Sequence, residues 1–173
     1  RGGSKRLPKK NIMEIQGKPM IAWTIEACKE SGIFSDILVS TDDEKTADIA
    51  KKFGAIVPFM RESSLSDDYT PVSEATIGSL HQLESHVNTH YDVVIQLMPN
   101  CPCKTSEDIK SSYINFVNSD LDFQISVFKF GWMNPWWAMT CTEEMKPNRI
   151  FPEAYSKRSQ DLDDLFCPSG AIW

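Results

Sequence analysis

Five of the first eleven residues, Arg1, Lys5, Arg6, Lys9 and Lys10, are cations in a chain of 173 residues whose net charge is −6. A local basic loop in an acidic protein is suited to a compact polyanion, not to a long nucleic-acid backbone, which needs a distributed basic face. Gly2 and Gly3 let a main chain approach a ligand with no Cβ in the way. Successive N–H groups can then cradle phosphate oxygens, and arginine can grip two oxygens at once. The loop Arg1–Asn11 therefore reads as a phosphate-binding site. The segment is not a P-loop, because no second glycine followed by Lys-Ser stands at the required distance. By composition alone, the same segment also reads as a solvated chain end.

These residues need a scaffold, and the periodicity supplies one. Apolar positions 20, 21, 25 and 28 predict a helix over about 18–31, stopped at Gly32. Residues 36–40 and 55–59 read as short buried strands. Between them Thr41-Asp42-Asp43-Glu44 fits a capping box, with Thr41 as N-cap, for a helix ending near Gly54. A helix over Val72–His86, a strand over 92–97, a helix opened by Thr105-Ser106-Glu107-Asp108 and a strand over 123–130 complete the pattern. Alternating strands and helices predict an α/β fold, a three-layer sandwich with a mostly parallel sheet. The whole chain is expected to form a single domain, with about 131–160 as a lid or dimerisation excursion. In such sheets ligands sit beyond the carboxyl ends of strands, which draws attention to Arg1–Asn11, Thr41–Asp43 and the stretches after Leu97 and after Phe130.

The order of short motifs resembles one family throughout. Arg1-Gly2-Gly3-Ser4-Lys5…Lys10-Asn11, followed by Gly17-Lys18-Pro19, matches R-x-G-S-K-x-x-x-x-K-N…G-K-P of the CMP-acylneuraminate (CMP-sialic acid) synthetases, the nonulosonic acid cytidylyltransferases. Val39-Ser40-Thr41-Asp42-Asp43-Glu44, Pro58…Arg61…Leu65-Ser66, Gln96-Leu97-Met98-Pro99, Arg158-Ser159-Gln160-Asp161-Leu162 and Ser169-Gly170-Ala171-Ile172 follow in the same order as that family's segments.

The resemblance implies a Rossmann-like nucleotidyltransferase fold, with a first strand before Arg1 and a further section after Trp173. It implies a reaction joining CTP to a nine-carbon 2-keto sugar acid (an N-acylneuraminate or a legionaminic or pseudaminic relative), with release of pyrophosphate, in cell-surface polysaccharide biosynthesis. It assigns Arg1 and Lys10 to catalysis, and Gly3, Ser4, Lys10, Asn11, Arg61 and Ser73 to the nucleotide. Gln96, Arg158, Gln160 and Asp161 fall to the sugar acid. Mg²⁺ is the implied cofactor; in the family an Asp-x-Asp pair holds it, and neither Asp120-Leu121-Asp122 nor Asp161-Leu162-Asp163 has that context. A homodimer is the implied assembly.

Two other readings stay open. One is a nucleotide-binding regulatory module without catalysis; the other is a cytidylyltransferase for the eight-carbon acid Kdo. Five scattered cysteines favour free thiols in a reducing cytoplasm. No apolar run is long enough for a membrane helix, and neither a membrane nor a nucleic acid is an expected partner. Trp132, Trp136 and Trp137 read as packing at a lid or dimer interface, not as a ligand stack.

Overall fold

The computed structural model describes residues 3, 7–67 and 69–173. Two compact units emerge, one of Arg1–Gln124 with Gly170–Trp173 and one of Ile125–Ser169.

In the first unit β1 (Glu14–Ile15) and β2 (Lys18–Pro19) form a hairpin whose two-residue turn is Gln16-Gly17. Both turn residues have positive φ, 53° and 76°, the condition for a tight turn that follows strand twist. The chain passes directly from β2 into α1 (Met20–Ser31), which ends on left-handed Gly32. Lys18 lies over the Trp23 ring, 4.1 Å from its centroid, and pairs with Glu26, so it is committed to packing at the start of this helix.

Helix α1 buries residues on two faces. Ile21 and Ile25 pack with Ala47 and Ala50 of α2 (Glu44–Lys52) and with Ala55 and Val57. Ala27 and Cys28 pack with Ile109 of α4 (Ser106–Val117) and with Ile172. Between these lies α3 in sequence (Val72–Val87), which buries Ala75, Ser79 and Leu83. Parallel pairing links the segments on either side of α2: Ile56 N–H donates to Ile37 O at 2.8 Å and Val39 N–H to Ile56 O at 3.0 Å. Leu97 is bridged antiparallel to Ile172, and Gln96 exchanges two main-chain hydrogen bonds with Trp173, at 2.9 and 3.0 Å. Among the described residues, the ladders with full strands are three two-stranded antiparallel pairs.

The second unit holds β3 (Val127–Lys129), β4 (Met139–Cys141), β5 (Pro147–Arg149) and β6 (Phe166–Pro168), pairing β3 with β6 and β4 with β5. Trp136 packs edge-on to Phe151 at 5.3 Å and Trp137 to Tyr155 at 5.6 Å, whereas Trp132 is 95% exposed. The predicted strand over 123–130 is shorter than expected, with only Val127–Lys129 in register with a partner.

One cap is corrected. Asp43, not Thr41, is the N-cap of α2, its carboxylate accepting from Thr46 N–H at 2.8 Å and from the Thr46 hydroxyl at 2.6 Å. Thr41 is 1% exposed and its hydroxyl accepts from Asp43 N–H, while its carbonyl accepts from Arg61 N–H at 2.8 Å. Tertiary contacts thus claim Thr41, and Asp43 caps the helix. The helix expected to open at Thr105-Ser106-Glu107-Asp108 does so through a capping box, with Thr105 and Asp108 bonding reciprocally.

Candidate active site

In the first unit a cavity of about 860 Å³ brings together residues far apart in sequence. Its polar lining includes Lys10, Asn11, Ser40, Thr41, Arg61 and Gln96, and its apolar lining includes Ile21, Ile25, Leu38, Leu83 and Val94. The hydroxyl of buried Thr24, on the same wall, has no hydrogen-bond partner among the described residues.

Lys10 and Asn11 begin a short 3₁₀ turn over Lys10–Ile12, entered through Lys9 in the left-handed region at φ 56°. The turn is closed by Ile12 N–H donating to Lys9 O at 3.0 Å. Side-by-side placement of an ammonium and an amide suits phosphate oxygens and a sugar hydroxyl. Among the described residues, a Cβ on Gly3 would meet nothing within 4 Å. Arg1 and Ser4 lie outside the described residues.

Arg61 is half-buried and fixed at both ends. Its main-chain N–H holds Thr41 O, its Nε donates to Ser40 Oγ at 2.9 Å and its Nη2 to Ser40 O at 2.6 Å. The segment following the Leu38 bridge and the one following the Ile56 bridge are thereby tied together at the cavity. Gln96 sits on the segment paired with Trp173, and its side-chain oxygen accepts from the Thr76 hydroxyl of α3 at 2.6 Å. Ser73 is exposed on the first turn of α3; the residues of that helix lining the cavity include Val72, Ala75, Thr76 and Ser79.

Arg158, Gln160 and Asp161 belong to the second unit, at the 3₁₀ turn Ser159–Asp161. Arg158 holds Asp161 through two bonds, Nε to Oδ2 at 2.7 Å and Nη2 to Oδ1 at 3.0 Å, both side chains being exposed.

Motif reading missed several residues of the cavity region. Lys104 is one: its Nζ donates to Met98 O at 2.7 Å and to Cys101 O at 2.8 Å, pinning the turn that follows Leu97. Burial holds its ammonium below the ordinary lysine value. A lone lysine just before a helix cap gave no sign of this. Thr76 and Ser79 were likewise passed over, and Ser40 was read as part of a motif without a role of its own, because a hydroxyl that bonds across the fold has no sequence signature. Among the described residues no cluster of three or more His, Cys, Asp or Glu side chains could hold a metal ion. The Mg²⁺ implied by the resemblance finds no such cluster among them.

Residues 1–135 match the family profile described as Cytidylyltransferase. This chain belongs to the cytidylyltransferase family. It is 37% identical to the pseudaminic acid cytidylyltransferase of Campylobacter jejuni subsp. jejuni serotype O:23/36, over all of this chain and 74% of the relative. It is 32% identical to the CMP-N,N'-diacetyllegionaminic acid synthase of Legionella pneumophila, over all of this chain and 70% of that protein. Among solved structures, a CMP:2-keto-3-deoxy-manno-octonic acid synthetase complexed with CTP superimposes with a TM-score of 0.69, covering 99% of this chain and 69% of the other. At 17% identity that likeness establishes the α/β fold of this cytidylyltransferase and nothing about its sugar. No helix among the described residues of the cytidylyltransferase is long and apolar enough to cross a membrane.

Proposed function

We propose that this cytidylyltransferase joins CTP to a nine-carbon 2-keto sugar acid, with pseudaminic acid the first candidate and legionaminic and N-acylneuraminic acids its neighbours. The carrying observation is that Lys10, Asn11, Arg61 and Gln96, spread over more than half the sequence, line one cavity. The choice of sugar is supported by the identity of 37% to a pseudaminic acid enzyme along the entire chain.

In the proposed reaction the anomeric hydroxyl of the sugar acid attacks the α-phosphorus of CTP. A bond forms from that oxygen to phosphorus, the bond from phosphorus to the bridging oxygen breaks, pyrophosphate leaves and the hydroxyl proton is lost to solvent or to phosphate. The protein has no covalent step to perform, so its contribution is alignment and charge stabilisation. Lys10 faces the phosphates, helped by Arg1 and Ser4 of the same loop. Gly3 lets the main chain approach them closely, and Asn11 meets the nucleoside. Arg61 reads the cytosine ring, with Ser73 near the ribose. Gln96 meets the sugar acid, and Arg158, Gln160 and Asp161 are assigned to that acid by their motif, an arginine being suited to a carboxylate. Mg²⁺, which would neutralise phosphate charge, belongs to the proposal without a ligand assigned to it. So do the three-layer parallel sheet, the single domain with an excursion over about 131–160, the homodimer and a cytoplasmic location.

The test is product analysis with a panel of acids: pseudaminic, legionaminic, N-acetylneuraminic and Kdo, each with CTP and Mg²⁺. Formation of a CMP-linked nine-carbon acid is expected, with pseudaminic acid preferred. Preference for Kdo would overturn the nine-carbon assignment. CTP binding without turnover of any acid would return the protein to the class of non-catalytic modules.

A further inference from the structure

The segment after Leu97 ends in a turn whose shape is fixed from two sides. Cys101 N–H donates to Met98 O at 3.2 Å and closes Met98-Pro99-Asn100-Cys101. Proline stands at the second position, where its fixed φ presets a β-turn. Lys104 then reaches back over the turn. Its Nζ donates to Met98 O at 2.7 Å and to Cys101 O at 2.8 Å, bracketing the turn at its first and last residues. A charged donor makes each of these bonds stronger than a neutral one would be.

The position of this lysine is unfavourable for the helix it precedes. It stands directly before Thr105, the N-cap of α4, where the helix dipole disfavours a cation. It is half-buried, and among the described residues no carboxylate pairs with it. Its charge is felt by the buried Cys28 thiol of α1, so the ammonium is directed inward. Both of its bonds go to the turn and neither goes to α4.

The turn matters because of where it lies. Met98, Pro99 and Asn100 line the same cavity as Gln96. Gln96 is itself held, by Thr76 through its side chain and by Trp173 through its main chain. One wall of the cavity is thus fixed at Gln96 and again at the turn, and a single ammonium holds both ends of the turn.

We infer that Lys104 is a positioning residue, which holds the cavity wall over residues 98–100 in the shape that seats the sugar acid beside Gln96. This rests on the proposed role of Gln96 toward that acid. Lys104 does not touch the substrate; it acts through the turn. Without the ammonium the turn keeps its proline and its closing Cys101 N–H bond but loses the brace across its ends. Helix α4, capped by Thr105 and Asp108, stays formed.

The experiment compares the full-length wild type with Lys104→Met, Lys104→Arg and Gln96→Ala. Methionine keeps most of the length and gives up the donors, whereas arginine keeps a charged donor. Pyrophosphate release gives kcat and KM for CTP and for pseudaminic acid separately. Hydrogen exchange over residues 97–104 and 106–117 reads the turn and α4. Lys104→Met should lower kcat/KM for the acid by about 10- to 100-fold, the scale of misplacing a substrate contact by about 1 Å. KM for CTP should stay near the wild-type value, and exchange should quicken in the turn but not in α4. Lys104→Arg should restore both readouts. Should Lys104→Met fail to fold, exchange in the wild type decides. CMP-linked pseudaminic acid should protect residues 97–104 beyond the protection given by CMP, and equal protection would overturn the assignment. In a folded Lys104→Met, unchanged exchange in the turn, or an unchanged kcat/KM for the acid, would overturn it. Equal losses toward CTP and the acid would mark a general structural role and overturn it as well. A Gln96→Ala variant with undiminished kcat/KM for the acid, beside an impaired Lys104→Met, would remove the role of Gln96 and leave the bracing of the wall by Lys104 standing.

Discussion

Replacing Asp43 by alanine should unfold the protein several degrees earlier and flatten its stability below pH 5. The carboxylate caps α2 by accepting from Thr46 N–H at 2.8 Å and also holds the Thr46 hydroxyl at 2.6 Å. Loss of an N-cap costs about 1 kcal/mol. Thr46 is only 5% exposed, so its hydroxyl is left poorly satisfied, which adds about 1 kcal/mol more. For a chain of this size about 2 kcal/mol lowers Tm by roughly 4–8 °C.

The two Thr46 bonds hold the Asp43 carboxyl below its usual value of 3.8. Because the folded pKa is depressed, the stabilisation is present above that ordinary value and is lost as pH falls through the lower, folded value. The wild type should therefore lose more stability than Asp43→Ala when acidified from pH 5 to pH 3. Asparagine keeps an acceptor for Thr46 N–H and gives up the charge at the helix N-terminus, so Asp43→Asn should lose less than half as much. Thermal unfolding followed by circular dichroism over this pH range is the assay. An unchanged Tm in Asp43→Ala, or equal damage from asparagine and alanine, would refute the assignment of the cap.

Three further outcomes are expected. Ile109 is fully buried between α1 and α4, so Ile109→Ala should cost about 2–5 kcal/mol in urea unfolding; a loss below 1 kcal/mol would argue against that packing. Burial pushes the Cys28 thiol up to about 11, so iodoacetamide at pH 8 should label exposed Cys103 and Cys141 first, with mass mapping finding Cys28 modified only after unfolding. Lys10→Ala should lower kcat/KM by about 10²–10³, the scale for one lost donor to developing phosphate charge, and an unchanged value would remove Lys10 from the mechanism.

What the sequence revealed follows the range of the forces involved. Helices α1, α3 and α4 were legible because their apolar spacing, the Gly32 stop and the Thr105-Ser106-Glu107-Asp108 start are all local signals. The start of α2 was misread by two residues because Thr41-Asp42-Asp43 offers three capping side chains in a row. The choice is made by Arg61, twenty residues away, which takes the Thr41 carbonyl. The hairpin over Glu14–Pro19 was missed because glutamine in a left-handed turn position is not a turn signal. In the cavity, Lys10, Asn11, Arg61 and Gln96 were legible from motif order, while Ser40, Thr76 and Ser79 act through long-range hydrogen bonds that no spacing rule encodes. The share of Arg158, Gln160 and Asp161 was read from a motif alone, and their turn lies in the second unit.

The central claim, cytidylyl transfer to a nine-carbon acid, is tested most directly by pyrophosphate release from the full-length protein, with pseudaminic acid and each of the four nucleoside triphosphates in turn. The account predicts release with CTP, matched mole for mole by CMP-linked sugar, and far slower release with UTP, ATP and GTP. Equal release with all four, or pyrophosphate without a CMP-sugar, would contradict it.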